Sequence, residues 1–137
     1  MGKAKFVCSP LARHFKLSSE HCPTSEKEKQ EMRGVPYALA VGSLMYAMIY
    51  TRPDIAHTVS VVSRFLSNPD KEHWTTVKWI LRYLRGTSKA CLCFGGDKFV
   101  IQVYTDADMA GDVDSRKCLS GYLLTFVGGA VSWQSRL

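Results

Sequence analysis

The chain lacks a long uninterrupted apolar segment. Its longest apolar run, residues 35–50, is broken by Gly42 and Ser43, and it is shorter than the roughly 20 residues that a membrane-spanning helix needs. Lys3 and Lys5 are followed by a polar, proline-interrupted stretch, so no signal peptide is visible. We therefore expect an intracellular protein, in the cytoplasm or the nucleus, without membrane association.

Cysteines are few and irregularly spaced. Because their number is odd and they form no regular framework, a disulfide scaffold is not expected, and we predict reduced packing residues. Zinc could be considered at His14, His21 and Cys22, or at Cys91 and Cys93. Neither group supplies two ligand pairs at the spacing of a tetrahedral site, so burial is favoured over metal binding. The five cysteines are Cys8, Cys22, Cys91, Cys93 and Cys118.

Acidic residues are also scarce, with 12 Asp and Glu against 18 Lys and Arg, for a net charge of +6. No two Asp residues are adjacent, and no Asp or Glu follows Asp114. The first observation excludes a metal site built on two adjacent Asp residues. The second excludes a site in which a carboxylate after residue 114 of this sequence completes the ligand set. Residues 1–88 are basic, whereas residues 89–137 are neutral. A basic region beside carboxylates suits a protein that holds a polyanion, although solvated surface lysines would give the same balance.

The length and composition fit one ordinary domain or two small subdomains. Residues 1–34 mix Ser, Pro and charged side chains without a sustained apolar period, which predicts an irregular connecting segment.

Residues 35–88 predict three helices. The first, Tyr37 to Tyr50, begins after Pro36 and is apolar on nearly every side, as expected of a buried helix. Thr51-Arg-Pro-Asp54 has the spacing of a capping box for a second helix, which Asn68-Pro69 would end. The second helix is amphipathic, and its apolar side consists of Ile55, Val59, Val62 and Leu66.

The third helix, from about Asp70 to Arg85, is predicted to end at Gly86. Cations along one side, bordered by Trp79 and Tyr83, could pair with phosphates while the rings pack on sugars, as in proteins that track a nucleic-acid backbone. A solvated helix face whose rings cover a neighbouring helix explains the pattern equally well. The predicted apolar positions are Trp74, Val77, Leu81 and Leu84, and the cations, here called the basic ridge, are Lys71, Lys78, Arg82 and Arg85.

After Thr87 the period changes from that of a helix to that of a strand. Residues 91–94 and 99–105 predict a hairpin with a turn at residues 95–97, and residues 120–127 and 130–135 predict a second one around Gly128-Gly129. We therefore predict an α+β fold, with a helical segment followed by an antiparallel meander. On the strand that precedes the acidic cluster, Ile101, Val103 and Thr105 share one face, and Gln102, Tyr104 and Asp106 share the other.

Four carboxylates lie within residues 106–114. Their spacing matches part of the ligand pattern of an EF-hand calcium loop. However, Ala110 and Lys117 stand where ligands are needed, and the flanking sequence predicts strands instead of helices. A solvated turn would explain Asp112 and Asp114. It explains Asp106 less well, because that residue ends an apolar strand, and a Mg²⁺ ligand is the third interpretation. The four residues are Asp106, Asp108, Asp112 and Asp114.

Residues 105–122 carry the pattern Thr-Asp-Ala-Asp-x-Ala-Gly-Asp-x-Asp-x-Arg-Lys-x-x-Ser-Gly-Tyr. This pattern resembles the start of the ribonuclease H domain in Ty1/copia-type retrotransposon Pol polyproteins. Upstream motifs resemble the segment that joins the polymerase to that domain, so the resemblance covers nearly the whole chain. Two departures are Met109, where the family usually has Trp, and Cys118-Leu119, where it usually has Ser-Thr. The upstream motifs are Val35-Pro-Tyr-Ala, Gly42-Ser-Leu-Met-Tyr46, Thr51-Arg-Pro-Asp-Ile55, Ser63-Arg-Phe, Asn68-Pro69, His73-Trp and Leu81-Arg-Tyr-Leu-Arg-Gly-Thr87.

The resemblance implies a chemistry that this sequence contains only in part. In the intact parent enzyme, two Mg²⁺ ions held by several carboxylates cleave the RNA strand of an RNA–DNA hybrid, and Asp106 matches the first of those carboxylates. The others are missing after Asp114, and the paired-Asp polymerase motif is also missing. We therefore expect no stably bound Mg²⁺ and no catalysis from this chain alone.

The resemblance also implies an organisation in three parts. Residues 1–34 would be an irregular connecting segment. Residues 35–88 would be a three-helix segment like a reverse transcriptase thumb or connection. Residues 89–137 would be the first part of a ribonuclease H-like domain, with three strands plus a leading strand. We expect an inactive remnant with weak affinity for RNA–DNA hybrid or other nucleic acid. The alternatives are an active Mg²⁺-dependent hybrid nuclease completed by a partner chain or an extension, and a domesticated interaction module.

Overall fold

A computed structural model describes residues 5, 7–12, 14–19, 22–96, 99–108, 114 and 117–136, with the backbone alone at residue 108. The helices are α1 (Glu26–Arg33), α2 (Tyr37–Tyr50), α3 (Ala56–Ser63) and α4 (Lys71–Gly86), and a 3₁₀ turn at Pro53–Ile55 precedes α3. The strands are β1 (Ile101–Asp108), β2 (Leu119–Phe126) and β3 (Gly129–Arg136), antiparallel in the order β1-β2-β3. The predicted α+β fold is confirmed.

The core lies among α2, α3 and α4, where the apolar side of each amphipathic helix meets the others. Tyr37 donates its hydroxyl to the carbonyl of Val62 at 2.8 Å, so its buried polar atom has a partner, and burial raises the pKa of Tyr37 above its ordinary value. The fully or nearly fully buried apolar residues are Leu17, Tyr37, Val41, Leu44, Ile55, Val59, Val62, Phe65, Val77 and Ile80.

Helix α2 has the predicted bounds, but it is not buried on all sides. Only Tyr37, Val41 and Leu44 are buried along it. Leu39 and Tyr46 face solvent, with exposed fractions of 73% and 65%. The prediction of a buried helix is therefore wrong for this side, because the described neighbours of α2 bury only the side that carries Tyr37, Val41 and Leu44.

The predicted capping box at Thr51-Arg-Pro-Asp54 does not form. The Thr51 amide donates to the carbonyl of Ala47 and so completes α2, which leaves it unavailable to the Asp54 carboxylate. The Asp54 carboxylate instead accepts from the Arg52 guanidinium at 2.6 Å and 2.9 Å. Helix α3 ends at Ser63, before the predicted stop at Asn68-Pro69, and Phe65 is buried where Leu66 was expected to be.

Helix α4 begins at a capping box that the sequence prediction did not include. The Asp70 carboxylate accepts from the His73 amide at 2.7 Å, and the Asp70 amide donates to Nδ1 of His73 at 3.0 Å. The two residues thus cap the first turn of α4 reciprocally. His73 is fully buried and stacks on Phe65 with ring centroids 3.8 Å apart.

The buried side of α4 is rotated from the prediction. His73, Thr76, Val77 and Ile80 are fully buried, whereas Trp74, Leu81 and Leu84 are only partly buried against the core. Counting apolar residues alone missed this, because a histidine whose Nδ1 accepts a hydrogen bond and a threonine whose hydroxyl donates one fill positions in the buried row.

The sheet differs from the prediction at its start. In the part of the chain that the structure describes, residues 91–96 form no strand and do not pair with β1. The amides of Gly95 and Gly96 both donate to the carbonyl of Val127, at the turn between β2 and β3. The predicted leading strand is therefore wrong, because its backbone bonds to that turn rather than to β1, and position 97 of the predicted turn lies outside the described residues.

The second hairpin is confirmed, with its turn one residue earlier than predicted. Val127 and Gly128 occupy the two turn positions with φ angles of 51° and 77°. Strand β3 packs against α3 and the 3₁₀ turn, and Trp133 donates its indole N–H to the carbonyl of Met48 at 2.9 Å. These contacts join the sheet to the helices.

The described part of the first 34 residues is not wholly irregular. It contains α1, and Leu17 contributes to the helical core with 4% of its surface exposed. In the described residues, no helix is both long enough and apolar enough to cross a membrane.

Candidate nucleic-acid interface and carboxylate groove

The basic ridge lies on the side of α4 that faces away from the core. At 100° per residue, Lys71, Lys78, Arg82 and Arg85 fall within one narrow sector, opposite the buried row of His73, Val77 and Ile80. Lys71, Lys78 and Arg85 are exposed, and Arg82 is half-buried. The predicted alignment of these cations on one solvent-facing surface is thus present in the fold.

Lys71 and Arg82 both have partners within the chain. Nζ of Lys71 lies 2.5 Å from Oε2 of Glu31, and this hydrogen bond followed by the charge of Glu31 raises the pKa of Lys71. Both side chains are well exposed, so the ion pair contributes little to stability. Another anion can therefore replace Glu31 as the partner of Lys71. The Arg82 guanidinium lies 5.0 Å from the centroid of the Trp79 ring, a cation–π contact that fixes its position on the surface.

The two aromatic residues beside the ridge already have partners. Trp79 donates its indole N–H to the carbonyl of Ser9 at 2.8 Å and makes edge contacts with His14 and Phe15. Tyr83 donates its hydroxyl to the Asp54 carboxylate at 2.7 Å. These contacts match the interpretation in which the rings cover neighbouring parts of the chain, so stacking on nucleic acid by Trp79 and Tyr83 stays a prediction.

Asp106 lies near the end of β1, on the sheet face that looks toward the helices. It is exposed and sits directly across from Gly121, which has no side chain to cover it. It lines a groove of about 540 Å³ between the sheet and the 3₁₀ turn, together with Asp54, His57, Tyr104 and other residues. This groove is the place where a Mg²⁺ ligand at Asp106 would act.

The residues around Asp106 do not fit a two-ion site. In the described parts of the chain, no three His, Cys, Asp or Glu side chains are placed to hold one metal ion. Asp54 lines the same groove, but its carboxylate is occupied by Arg52 and Tyr83. We therefore derive no catalytic step through Mg²⁺ from these residues.

The remaining acids of the cluster have different places. Oδ1 of Asp114 accepts from the Ser18 hydroxyl at 2.6 Å, and Oδ2 accepts from the Ser19 amide at 2.7 Å. Asp114 thus anchors the N-terminal segment. The sequence prediction, which placed Asp114 in a solvated turn, did not include this contact. Asp112 and the side chain of Asp108 lie outside the described residues. Strands β1 and β2 flank the cluster, whereas an EF-hand calcium loop lies between two helices.

All five cysteines are free thiols, as predicted, and Cys22 packs against the helical core. The prediction of packing residues is wrong for the other four, because Cys8, Cys91, Cys93 and Cys118 are exposed. For the zinc candidate at residues 14–22, the His14 ring packs against Phe15 and Trp79, and position 21 lies outside the described residues. Cys91 and Cys93 do lie together, with their sulfur atoms 3.5 Å apart.

Comparison with curated proteins decides the family. The chain is 66% identical over all 137 residues to the retrovirus-related Pol polyprotein from transposon TNT 1-94 of Nicotiana tabacum, of which it covers 10%. It is 35% identical over 134 residues to the Pol polyprotein from transposon RE2 of Arabidopsis thaliana, of which it covers 9%. The chain belongs to the Pol polyproteins of copia-type retrotransposons. This confirms the resemblance drawn from residues 35–87 and 105–122.

This copia-type Pol chain spans about a tenth of the length of those two curated relatives. A 108-residue stretch is also 50% identical to the secreted RxLR effector protein 161 of Plasmopara viticola, covering 77% of this chain and 75% of that protein. No family model matches the chain, and no solved structure matches it.

Proposed function

We propose that this copia-type Pol chain is a catalytically inactive remnant that binds RNA–DNA hybrid, or other nucleic acid, weakly through the basic ridge of α4. It would join the thumb or connection end of a reverse transcriptase to the opening strands of a ribonuclease H-like domain. The observation that supports binding is the alignment of Lys71, Lys78, Arg82 and Arg85 on the solvent side of α4. Because the opposite side of this helix is held in the core, the backbone positions of the four cations are fixed in one row.

A row of cations on one helix binds phosphates without reading sequence. Each phosphate neutralised on a duplex releases condensed counterions and adds about 0.9 to the slope of log affinity against log salt. If three or four cations engage, we expect a slope of about −3 and weak affinity at physiological salt. Since Trp79 and Tyr83 are engaged by Ser9 and Asp54, the binding is mainly electrostatic.

Inactivity is supported by what surrounds Asp106. Cleavage of a hybrid requires groups that stabilise both the attacking and the leaving oxygen, and one carboxylate in an open groove supplies too few. Asp106 is proposed as the first carboxylate of the parent ribonuclease H site, which the rest of the parent polyprotein would complete with Mg²⁺. In this chain the groove would hold no ion stably.

Binding is tested by fluorescence anisotropy with a labelled RNA–DNA hybrid at increasing salt. Changing Lys71, Lys78, Arg82 and Arg85 to Ala should abolish the salt-dependent binding. A matched control removes two exposed lysines and two exposed arginines elsewhere, with the same change in net charge: Lys27, Arg33, Lys89 and Arg136 to Ala. Equal loss in both variants, or binding that salt does not weaken, would contradict a site on α4.

Inactivity is tested by incubating the same hybrid with the chain in Mg²⁺. We expect no cleavage above the level of an Asp106→Asn variant. Cleavage by the unaltered chain that Asp106→Asn abolishes would establish the alternative, an active Mg²⁺-dependent nuclease. Binding with no cleavage supports both parts of the proposal.

A further inference from the structure

Cys91 and Cys93 form an exposed pair of thiols between α4 and β1. Their sulfur atoms are 3.5 Å apart, which is van der Waals contact, and both residues are exposed. Only Leu92 separates them in the sequence. This arrangement brings two soft ligand atoms together on an accessible part of the surface.

The backbone on both sides of the pair is held by hydrogen bonds. Before the pair, the amide of Ala90 donates to the carbonyl of Thr87 at 3.0 Å, in the turn that follows α4. After the pair, the amides of Gly95 and Gly96 donate to the carbonyl of Val127, each at 3.1 Å. The two sulfurs are therefore attached to a segment that is fixed at both ends.

Gly129 allows this segment to lie close to the β2–β3 turn. A Cβ atom at position 129 would come within 2.4 Å of the Phe94 ring and 2.7 Å of the carbonyl oxygen of Cys93. These separations are far inside van der Waals contact. The absence of a side chain at Gly129 thus supports the position of Cys93.

We propose that Cys91 and Cys93 form a two-sulfur binding site for one soft, thiophilic centre of the trivalent arsenic class. Thiolate sulfur is the protein ligand that soft centres prefer, and two sulfurs in contact can bind the same atom. With an organoarsenic(III) oxide, two S–As bonds form and the arsenic–oxygen bond breaks. The oxygen leaves as water with both thiol protons, and arsenic stays trivalent, so no electrons are transferred.

The protonation of Cys93 is consistent with this chemistry. The hydrogen bond with the Cys91 sulfur, followed by the charge of Cys91, raises the pKa of Cys93 above its ordinary value. Cys93 therefore enters the reaction as a thiol, and the departing water carries its proton away. A reagent that reacts with only one thiolate would not bind more tightly because of the second cysteine.

The test uses the whole chain titrated with phenylarsine oxide and followed by intact-mass spectrometry. We expect one phenylarsenic group per chain, released by a dithiol such as 2,3-dimercaptopropanol but retained in an equal concentration of a monothiol. Cys91→Ser and Cys93→Ser should each abolish capture. A control lacking Cys8, Cys22 and Cys118 should retain it. Capture that survives either single variant, or that disappears in the control, would overturn the site.

The contribution of the fold is tested separately by rate. Holding two reacting groups in contact should make capture by the native chain faster than by the same chain in concentrated urea, by about tenfold or more. Gly129→Ala keeps both cysteines but should slow capture, since its methyl group displaces Phe94 and the Cys93 backbone. Equal rates for native, Gly129→Ala and unfolded chains would show that the fold does not organise the pair.

Discussion

Val127 is a residue in a conformation that its side chain disfavours. Its φ angle is 51°, and the next residue, Gly128, also has a positive φ of 77°. Two consecutive positive φ angles are typical of a type I′ hairpin turn, which favours Asn-Gly. A β-branched side chain in the left-handed region costs of order 1 kcal/mol or more. The carbonyl of this strained residue also accepts from Gly95 and Gly96, so the turn holds the segment that precedes β1.

Val127→Asn should therefore stabilise the chain. We expect the free energy of unfolding to rise by about 1 kcal/mol, because Asn tolerates the left-handed region and matches the turn type. Urea denaturation followed by circular dichroism measures the change. Val131→Asn is the control, since it makes the same exchange on exposed β3 residue 131, outside the turn, and should not stabilise. A Val127→Asn chain no more stable than the unaltered one would contradict the turn assignment.

At the scale of elements, one polar network ties the end of α4 to the junction of α2 and α3. The Arg52 guanidinium is largely buried and donates to Asp54 and to the Thr87 hydroxyl, the latter at 2.6 Å. Tyr83 of α4 donates to the same Asp54 carboxylate. Partial burial would raise the pKa of Asp54, but the hydrogen bonds from Arg52 and Tyr83 outweigh it and lower that pKa below its ordinary value of 3.8.

Asp54→Asn should destabilise the chain in a way that depends on pH. Because the folded pKa of Asp54 is lowered, its contribution is present above 3.8 and is lost as the pH falls through the folded value. At neutral pH we expect a loss of about 1 kcal/mol, kept small by the partial exposure of the carboxylate.

Urea denaturation at neutral pH and at a pH well below 3.8 measures the difference between the two chains. The difference should shrink in acid. Asp106→Asn, an exposed carboxylate on β1, should leave stability nearly unchanged at neutral pH. A difference between the Asp54 variant and the unaltered chain that stays constant with pH would contradict the network's role.

Elements with a strong local period were predictable from the sequence. Helices α2 and α4 and the β2–β3 hairpin lie where apolar spacing and turn residues placed them. The basic ridge follows from helical geometry alone. Contacts between distant residues were not predictable, because nothing local in Leu17 indicates core burial and nothing in Asp114 indicates a bond to Ser18, 96 residues away. The engagement of Trp79 by Ser9 was hidden for the same reason.

At the scale of the whole molecule, the sheet has one face against the helices and one face without a cover in the described residues. Trp133 and its cross-strand partner Leu123 lie on the face toward the helices. The other face, here called the apolar sheet face, is the uncovered one. Tyr122, Leu124 and Phe126 of β2 lie on this face, across from Thr105, Val103 and Ile101. Among the described residues, one edge of β1 is also unpaired. The apolar sheet face consists of Ile101, Val103, Tyr122, Leu124 and Phe126.

The isolated chain should therefore associate through the apolar sheet face and the edge of β1. Ile101 and Val103 have exposed fractions of 61% and 59%, and an uncovered apolar strand edge is a template for pairing with another chain. We expect the chain to bind a dye that reports exposed apolar surface and to form larger species in size-exclusion chromatography. Val103→Lys should reduce both, because a charge on an edge strand opposes pairing. Leu39→Lys adds the same charge to exposed helix α2 and should leave association through the sheet in place. A monodisperse chain that unfolds cooperatively and binds no dye would show that this face is not a site of association.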